Sequence, residues 1–159
     1  MTLVKARVRL SGARGSYSST ALTDTGARMT LIDKSLAERV GVQYTGRVID
    51  SVSVSGQVVG ASEAVVPEFE IEGELLKYEA VAVAEIPERV KEVLRKSEVD
   101  ENVVVGVLTI ERANMVPDTA TGALRKVESF ILQGYERAQS RSRPNQQPSV
   151  AIVECALGI

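Results

Sequence analysis

Apolar and charged positions alternate through the start of the chain. Leu3, Ala6, Val8 and Leu10 are interleaved with Lys5, Arg7 and Arg9, so residues 3–10 are expected to form a strand with one buried face. Gly12 and Gly15 supply a turn, after which residues 16–23 return antiparallel. A short apolar run, residues 29–32, leads to Asp33, a natural N-cap for a helix through Val40. Leu36 and Val40 stack at i,i+4 on that helix, and Gly41 stands where a left-handed C-cap is wanted. Residues 47–73 read as β throughout, with a hairpin tip around Ser55 and Gly56 and a turn at Gly73. A further strand over 75–84 sets Tyr78, Ala80, Ala82 and Ala84 against Val81 and Val83. Pro87 fits the first turn of a helix reaching Lys96, with Val90, Val93 and Leu94 on one face. Val103-Val104-Val105-Gly106 is a buried-type strand, followed by a short helix over 108–114, a hairpin turning at 118–122 and a strand over 124–132. The tally is a mainly β domain with a few short helices.

The pattern breaks after this domain. Residues 139–149 (QSRSRPNQQPS) contain two prolines and no aliphatic residue, and read as a flexible linker. Residues 150–157 are apolar again apart from Glu154, and a segment of that kind needs a strand to pair with. The expected organisation is therefore a domain over 1–138, a linker over 139–149 and an apolar C-terminal strand within 150–159. A loose internal repeat is visible in the folded part. The loop at Asp24-Thr25-Gly26 leads into a helix, and so does the one at Val105-Gly106.

Composition narrows the function classes. The 159 residues carry 19 Lys and Arg against 21 Asp and Glu, a net charge of −2, which offers no basic face for nucleic acid. No apolar run approaches the roughly 20 residues of a membrane span, and residues 1–7 lack the apolar core of a secretion signal. The expectation is a cytoplasmic protein with neither nucleic acid nor membrane as partner. Histidine is absent, which excludes a Ser-His-Asp triad, a Cys-His pair and a histidine-bearing zinc site. The single Cys155 can form neither an intrachain disulfide nor a thiolate metal cluster. Enzymatic acid–base chemistry in this chain would fall to carboxylates, Lys or Tyr.

Asp24-Thr25-Gly26 is the candidate for that chemistry. Alone it is weak, since Asp-Ser/Thr-Gly arises by chance in about one chain in ten of this length. As a plain turn, its Asp would accept backbone hydrogen bonds and its Gly would ease the chain around. Its surroundings are more specific. Ala21-Leu22-Thr23 approaches it as a strand, Ala27 and an apolar segment follow, a hairpin turns at Ser55-Gly56, and Val104-Val105-Gly106 precedes a second helix. In this order of motifs, over residues 3–132, the chain resembles the retropepsin-like aspartic proteases, single-domain relatives of the retroviral enzymes, in their cellular branch.

The resemblance implies a closed β-barrel of the acid-protease type and hydrolysis of a peptide or protein substrate. Such chemistry uses two carboxylates about 3 Å apart sharing one proton, one activating water and the other protonating the scissile carbonyl. It calls for no cofactor and no metal. With one Asp-Thr-Gly per chain, the second carboxylate would come from the partner in a homodimer. By motif match Asp24 is the catalytic group, Thr25 braces the two loops and Gly26 offers its amide to the carboxylate. Ala27 and the flap residues Ser55, Gly56 and Gln57 would contact substrate.

Three positions depart from the family's pattern. Thr23 stands where an aliphatic residue usually precedes the Asp. Arg28 occupies a position that is acidic in the retroviral enzymes, and Val107 one that is Arg there, so their ion pair cannot form. These departures leave a second reading, a catalytically silent homodimeric module that binds extended peptides by strand addition. Other acidic residues carry less. Asp50, Asp100, Glu101, Glu111 and Glu136 are expected to be solvated charges, and Glu68, Glu70, Glu72 and Glu74 the wet face of a strand.

Overall fold

The computed structural model describes residues 2–52 and 58–128. The strands run β1 (Lys5–Ser11), β2 (Ser16–Asp24), β3 (Leu31–Asp33), β4 (Gln43–Val52), β5 (Val58–Ile71), β6 (Glu74–Ala84), β7 (Val103–Gly106), β8 (Met115–Asp118) and β9 (Ala123–Lys126). Three short helices interrupt them: α1 (Lys34–Val40), α2 (Glu88–Lys96) and α3 (Val107–Arg112). This is the mainly β architecture with a few short helices that the pattern predicts.

The sheet closes on itself. Pairing runs β1-β5-β6-β3-β7-β2 and returns to β1, a ring of six strands, with β4 added beside β5 and the β8–β9 hairpin beside β1. Closure depends on β5 changing neighbours along its length. Residues 58–65 pair with β4, and residues 68–71 pair with β1, Val8 opposite Ile71 and Ser11 opposite Glu68. Pro67 lies between the two registers, where the missing N–H costs no ladder bond. Directly across in β6 is Tyr78, in the left-handed region at φ 55°. The inward parity of both strands slips by one there. Ala64 and Val66 point inward before the slip in β5, and Phe69 and Ile71 after it. In β6, Leu76 is buried on one side of Tyr78, and Glu79, Val81 and Val83 on the other. A corner of this kind bends a sheet towards closure.

The core is aliphatic apart from Phe69, built on Leu10, Ile32, Leu36, Phe69, Ile71, Val81, Val103, Val105 and Ile110. β1 contributes Ala6, Val8 and Leu10, while Arg7 and Arg9 face out as their alternation requires. α1 has the predicted caps. Asp33 accepts from the Ser35 amide, and Gly41 adopts φ 79° with its N–H on the Ala37 carbonyl. Asp33 does more than cap. Its Oδ2 also accepts the Ser35 hydroxyl at 2.5 Å, and its Oδ1 takes the Ile86 amide at 3.0 Å and the Lys91 ammonium at 3.1 Å. One buried carboxylate thus ties the start of α2 to the start of α1.

α2 itself departs from the sequence expectation. Of its predicted apolar face only Leu94 is buried, while Val90 and Val93 are exposed. Three of the four acidic residues over 68–74 are ion-paired instead of merely wet: Glu72 with Arg7, Glu68 with Lys77, Glu74 with Lys126. Asp100 is held too, accepting from the Ser19 hydroxyl at 2.5 Å and the Asn102 amide at 2.9 Å. Among the described residues no helix is long and apolar enough to cross a membrane.

Candidate active site

Asp24 is the last residue of β2, delivered to the surface by a strand whose preceding residues are tied into the barrel. β2 runs parallel to β7, with Thr23 opposite Val105 and Asp24 opposite Gly106. The chain then reverses over 24–27, closed by the Ala27 N–H donating to the Asp24 carbonyl at 3.1 Å. The Gly26 N–H donates to Asp24 Oδ1 at 2.8 Å. A Cβ at residue 26 would stand 3.1 Å from that oxygen, so glycine is what lets the amide come so close. Among the described residues Oδ2 accepts no hydrogen bond. Asp24, Thr25 and Gly26 are exposed and Ala27 is half-buried.

The three departures noted in the sequence have structural counterparts. Thr23 is buried, and its N–H and its hydroxyl both donate to the Val4 carbonyl at 2.9 Å. A hydroxyl therefore does beneath the turn what an aliphatic residue could not, fastening the N-terminal segment to the strand that carries Asp24. At Arg28 and Val107 the connection is made by backbone instead of an ion pair. The Val107 N–H donates to the Ala27 carbonyl at 2.8 Å, and the Leu108 N–H to the Arg28 carbonyl at 3.1 Å. The exit of the Asp24 turn is thus held by the first residues of α3.

Gly106 is the tightest point of this junction. A Cβ there would lie 2.3 Å from the carbonyl carbon of Met29 and 2.4 Å from its oxygen, closer than any side chain tolerates. The Gly106 N–H donates to the Thr30 hydroxyl at 3.1 Å, and Thr30 meets the Thr109 hydroxyl at 2.7 Å. Thr109 in turn donates to Glu79 Oε1 at 2.8 Å, and the Arg112 guanidinium pairs with Glu79 Oε2. Thr30, Thr109 and Glu79 are all buried. Neither these three nor Arg112 is singled out by a sequence motif. Strand parity could have found Glu79, because it shares the face of Val81 and Val83.

The flap residues Ser55, Gly56 and Gln57 lie outside the described residues, as do the linker and the apolar tail. The strands on either side of the flap pair out to Val52 opposite Val58. Two open depressions occur elsewhere, one of about 490 Å³ beside Arg7, Arg9, Ser19 and Glu70, the other of about 540 Å³ beside Lys34, Tyr44, Ser62 and Glu85. Neither includes the Asp24 turn. Among the described residues no three His, Cys, Asp or Glu side chains converge to hold a metal ion.

A family model described as aspartyl protease matches residues 6–111, which span the six barrel strands and the turn. No match is found among curated proteins. Among solved structures, the retroviral protease-like domain of Ddi1 from Leishmania major is similar at 17% identity and a TM-score of 0.48, covering 81% of this chain and 91% of that one. The EIAV protease complexed with the inhibitor HBY-793 is similar at 18% identity and a TM-score of 0.44, covering 69% and 85%. A retropepsin-like aspartic protease from Rickettsia conorii is similar at 14% identity and a TM-score of 0.41, covering 74% and 89%.

Proposed function

The chain belongs to the aspartyl protease family, and from that premise we propose that it is an aspartic endopeptidase, active as a homodimer with Asp24 supplied by each protomer. The observation that carries the reading is the state of Asp24. It is exposed at the end of β2, one oxygen is held by the Gly26 amide, and the other has no partner among the described residues. A carboxylate that the fold positions but does not saturate is free for chemistry. One such group is half of an aspartic site, and in a single chain the turn lies outside both depressions described above. A second copy across a two-fold axis would supply the other half and enclose the pair.

In such a pair, like charges at close range favour the state with one shared proton. The unprotonated Asp24 takes a proton from water as the water oxygen bonds to the scissile carbonyl carbon. The protonated Asp24 of the other protomer gives its proton to the carbonyl oxygen. The tetrahedral intermediate then collapses, the C–N bond breaks, and a proton passes to the leaving amine. Thr25, exposed on the turn, would brace one loop against its counterpart. Ala27 and the flap at Ser55, Gly56 and Gln57 would bound the substrate, with the apolar tail over 150–157 pairing in its own chain or across the dimer.

The test is hydrolysis of a peptide library by the purified protein and by Asp24→Asn, with and without a statine-type inhibitor. Inhibitor-sensitive cleavage that vanishes in Asp24→Asn is expected. Undiminished turnover by a metal-free Asp24→Asn sample would remove the reading.

A further inference from the structure

One cluster around a buried charge has no part in the reaction proposed above: Glu79 with the buried Thr30 and Thr109 and with Arg112, whose side chain reaches in from the surface. Burying a carboxylate among aliphatic side chains is costly unless every oxygen is satisfied, so its presence calls for a reason. The hydrogen-bond directions supply one. A carboxylate only accepts, so Thr109 must donate its single hydroxyl proton to Glu79 Oε1. Thr109 can then only accept from Thr30, which fixes the direction of their 2.7 Å contact. The Thr30 hydroxyl, its proton committed, accepts the Gly106 N–H. The carboxylate therefore orders every proton in a chain that ends on the amide beside Asp24. On its other side Arg112 bonds Glu79 Oε2 and, at 2.6 Å, the Lys77 carbonyl, clamping the last turn of α3 to β6. The first residues of α3 hold the Asp24 turn through Val107 and Leu108. The left-handed Tyr78 is what turns Glu79 into the barrel to reach this cluster.

We propose that Glu79 is a positioning residue: through the Thr109–Thr30–Gly106 chain and through Arg112 it fixes α3 and β7, and with them the Asp24 turn, in reactive geometry. The inference rests on the reading of Asp24 as the catalytic group. Apolar side chains of similar shape would fill the same space, so packing alone does not account for the cluster. A directional chain ending on Gly106 does, because Gly106 is wedged against Met29 with no slack to absorb a shift.

The test uses the full chain with Thr109→Val, which keeps shape and removes the relay hydroxyl, Thr109→Ser, which restores it, and Glu79→Gln, which keeps an acceptor oxygen and removes the charge. Amide hydrogen exchange by NMR is read at Gly106, Val107 and Leu108, with Val8 and Leu10 in β1 as internal reference, alongside kcat and KM on a cleaved peptide. Thr109→Val should raise exchange at the three junction amides about tenfold or more relative to β1, because it removes the buried hydrogen bonds of Thr109 to both Glu79 and Thr30. It should lower kcat about 10- to 100-fold, as misplacement by up to about 1 Å does, with KM changed less than about twofold. Thr109→Ser should recover both, and Glu79→Gln should fall between. Exchange rising equally at all amides, or junction exchange and kcat both unmoved, would overturn the inference. Should a Thr109 variant fail to fold, Glu79→Gln carries the same two readouts. A wild type that hydrolyses nothing defeats the protease reading, whereas the exchange pattern separately decides whether Glu79 holds the junction.

Discussion

Two aspartates nine positions apart, Asp24 and Asp33, show how the same side chain is put to opposite uses. Asp33 is buried, and it accepts the Ser35 amide and hydroxyl, the Ile86 amide and the Lys91 ammonium. Burial pushes its carboxyl up, but the bonds from the Ser35 hydroxyl, the Ile86 amide, Lys91 and the Ser35 amide outweigh this and hold it below the ordinary carboxylate range. Such a group is saturated; it binds elements together and has nothing left to offer a substrate. Asp24 is exposed, takes one hydrogen bond from Gly26, and keeps Oδ2 open among the described residues. The carboxylate proposed to react is thus the one the fold orients without consuming. A sequence motif marks Asp24, whereas the number of donors around each aspartate tells their roles apart.

The sharpest way to break this comparison is to neutralise each aspartate in turn. Asp24→Asn should lower kcat/KM on the order of 10⁴-fold or more, in the range seen when a catalytic group is removed. Its unfolding midpoint should stay close to the wild type, because the side chain is exposed. Asp33→Asn should do the reverse, losing about 3 kcal/mol of stability as a mostly buried pair with Lys91 is broken, while the folded fraction retains its kcat. A large activity loss in folded Asp33→Asn, or unfolding of Asp24→Asn, would erase the distinction.

Acid sharpens it further. Because the folded Asp33 carboxyl lies below its unfolded value of about 3.9, its stabilising contribution is fully present above that value. The contribution is lost as the pH falls through the folded value. Denaturant midpoints of wild type and Asp33→Asn should therefore be well separated at neutral pH and converge in strong acid. A separation that widens with acidification would contradict the assigned direction.

A smaller contrast concerns two glycines. Gly106→Ala should destabilise by about 2–3 kcal/mol, since its Cβ would meet the Met29 carbonyl and the backbone there must move. Gly60→Ala, with open space around the new methyl, should change stability by less than about 0.5 kcal/mol. Both are read from urea denaturation. Equal effects would mean that the junction beside Asp24 is looser than its packing indicates.

What the sequence discloses divides along the range of the forces involved. The α1 caps are legible because Asp33 and Gly41 act on their immediate neighbours, and the Asp24 turn because its three residues follow one another. Closure of the barrel is not, since it rests on β5 exchanging β4 for β1 at Pro67 and on Tyr78 taking a left-handed conformation opposite, a pairing 11 residues away in sequence. Glu79 is half legible: alternation puts it on the face of Val81 and Val83, but its partners Thr30, Thr109 and Arg112 are distant in sequence and come together only in the fold. The apolar face assigned to α2 shows the opposite error. Val90 and Val93 have helical spacing with Leu94, but the described fold brings cover only to Leu94.

The shared carboxylate pair is tested most directly by mixing wild type with Asp24→Asn under conditions that exchange subunits, and measuring peptide hydrolysis at constant total protein. If each site needs Asp24 from both protomers, an equal mixture pairs at random and retains about a quarter of the wild-type rate. A rate that falls only in proportion to the wild-type fraction, to about half, would mean that one chain carries a complete site, and it would contradict the account.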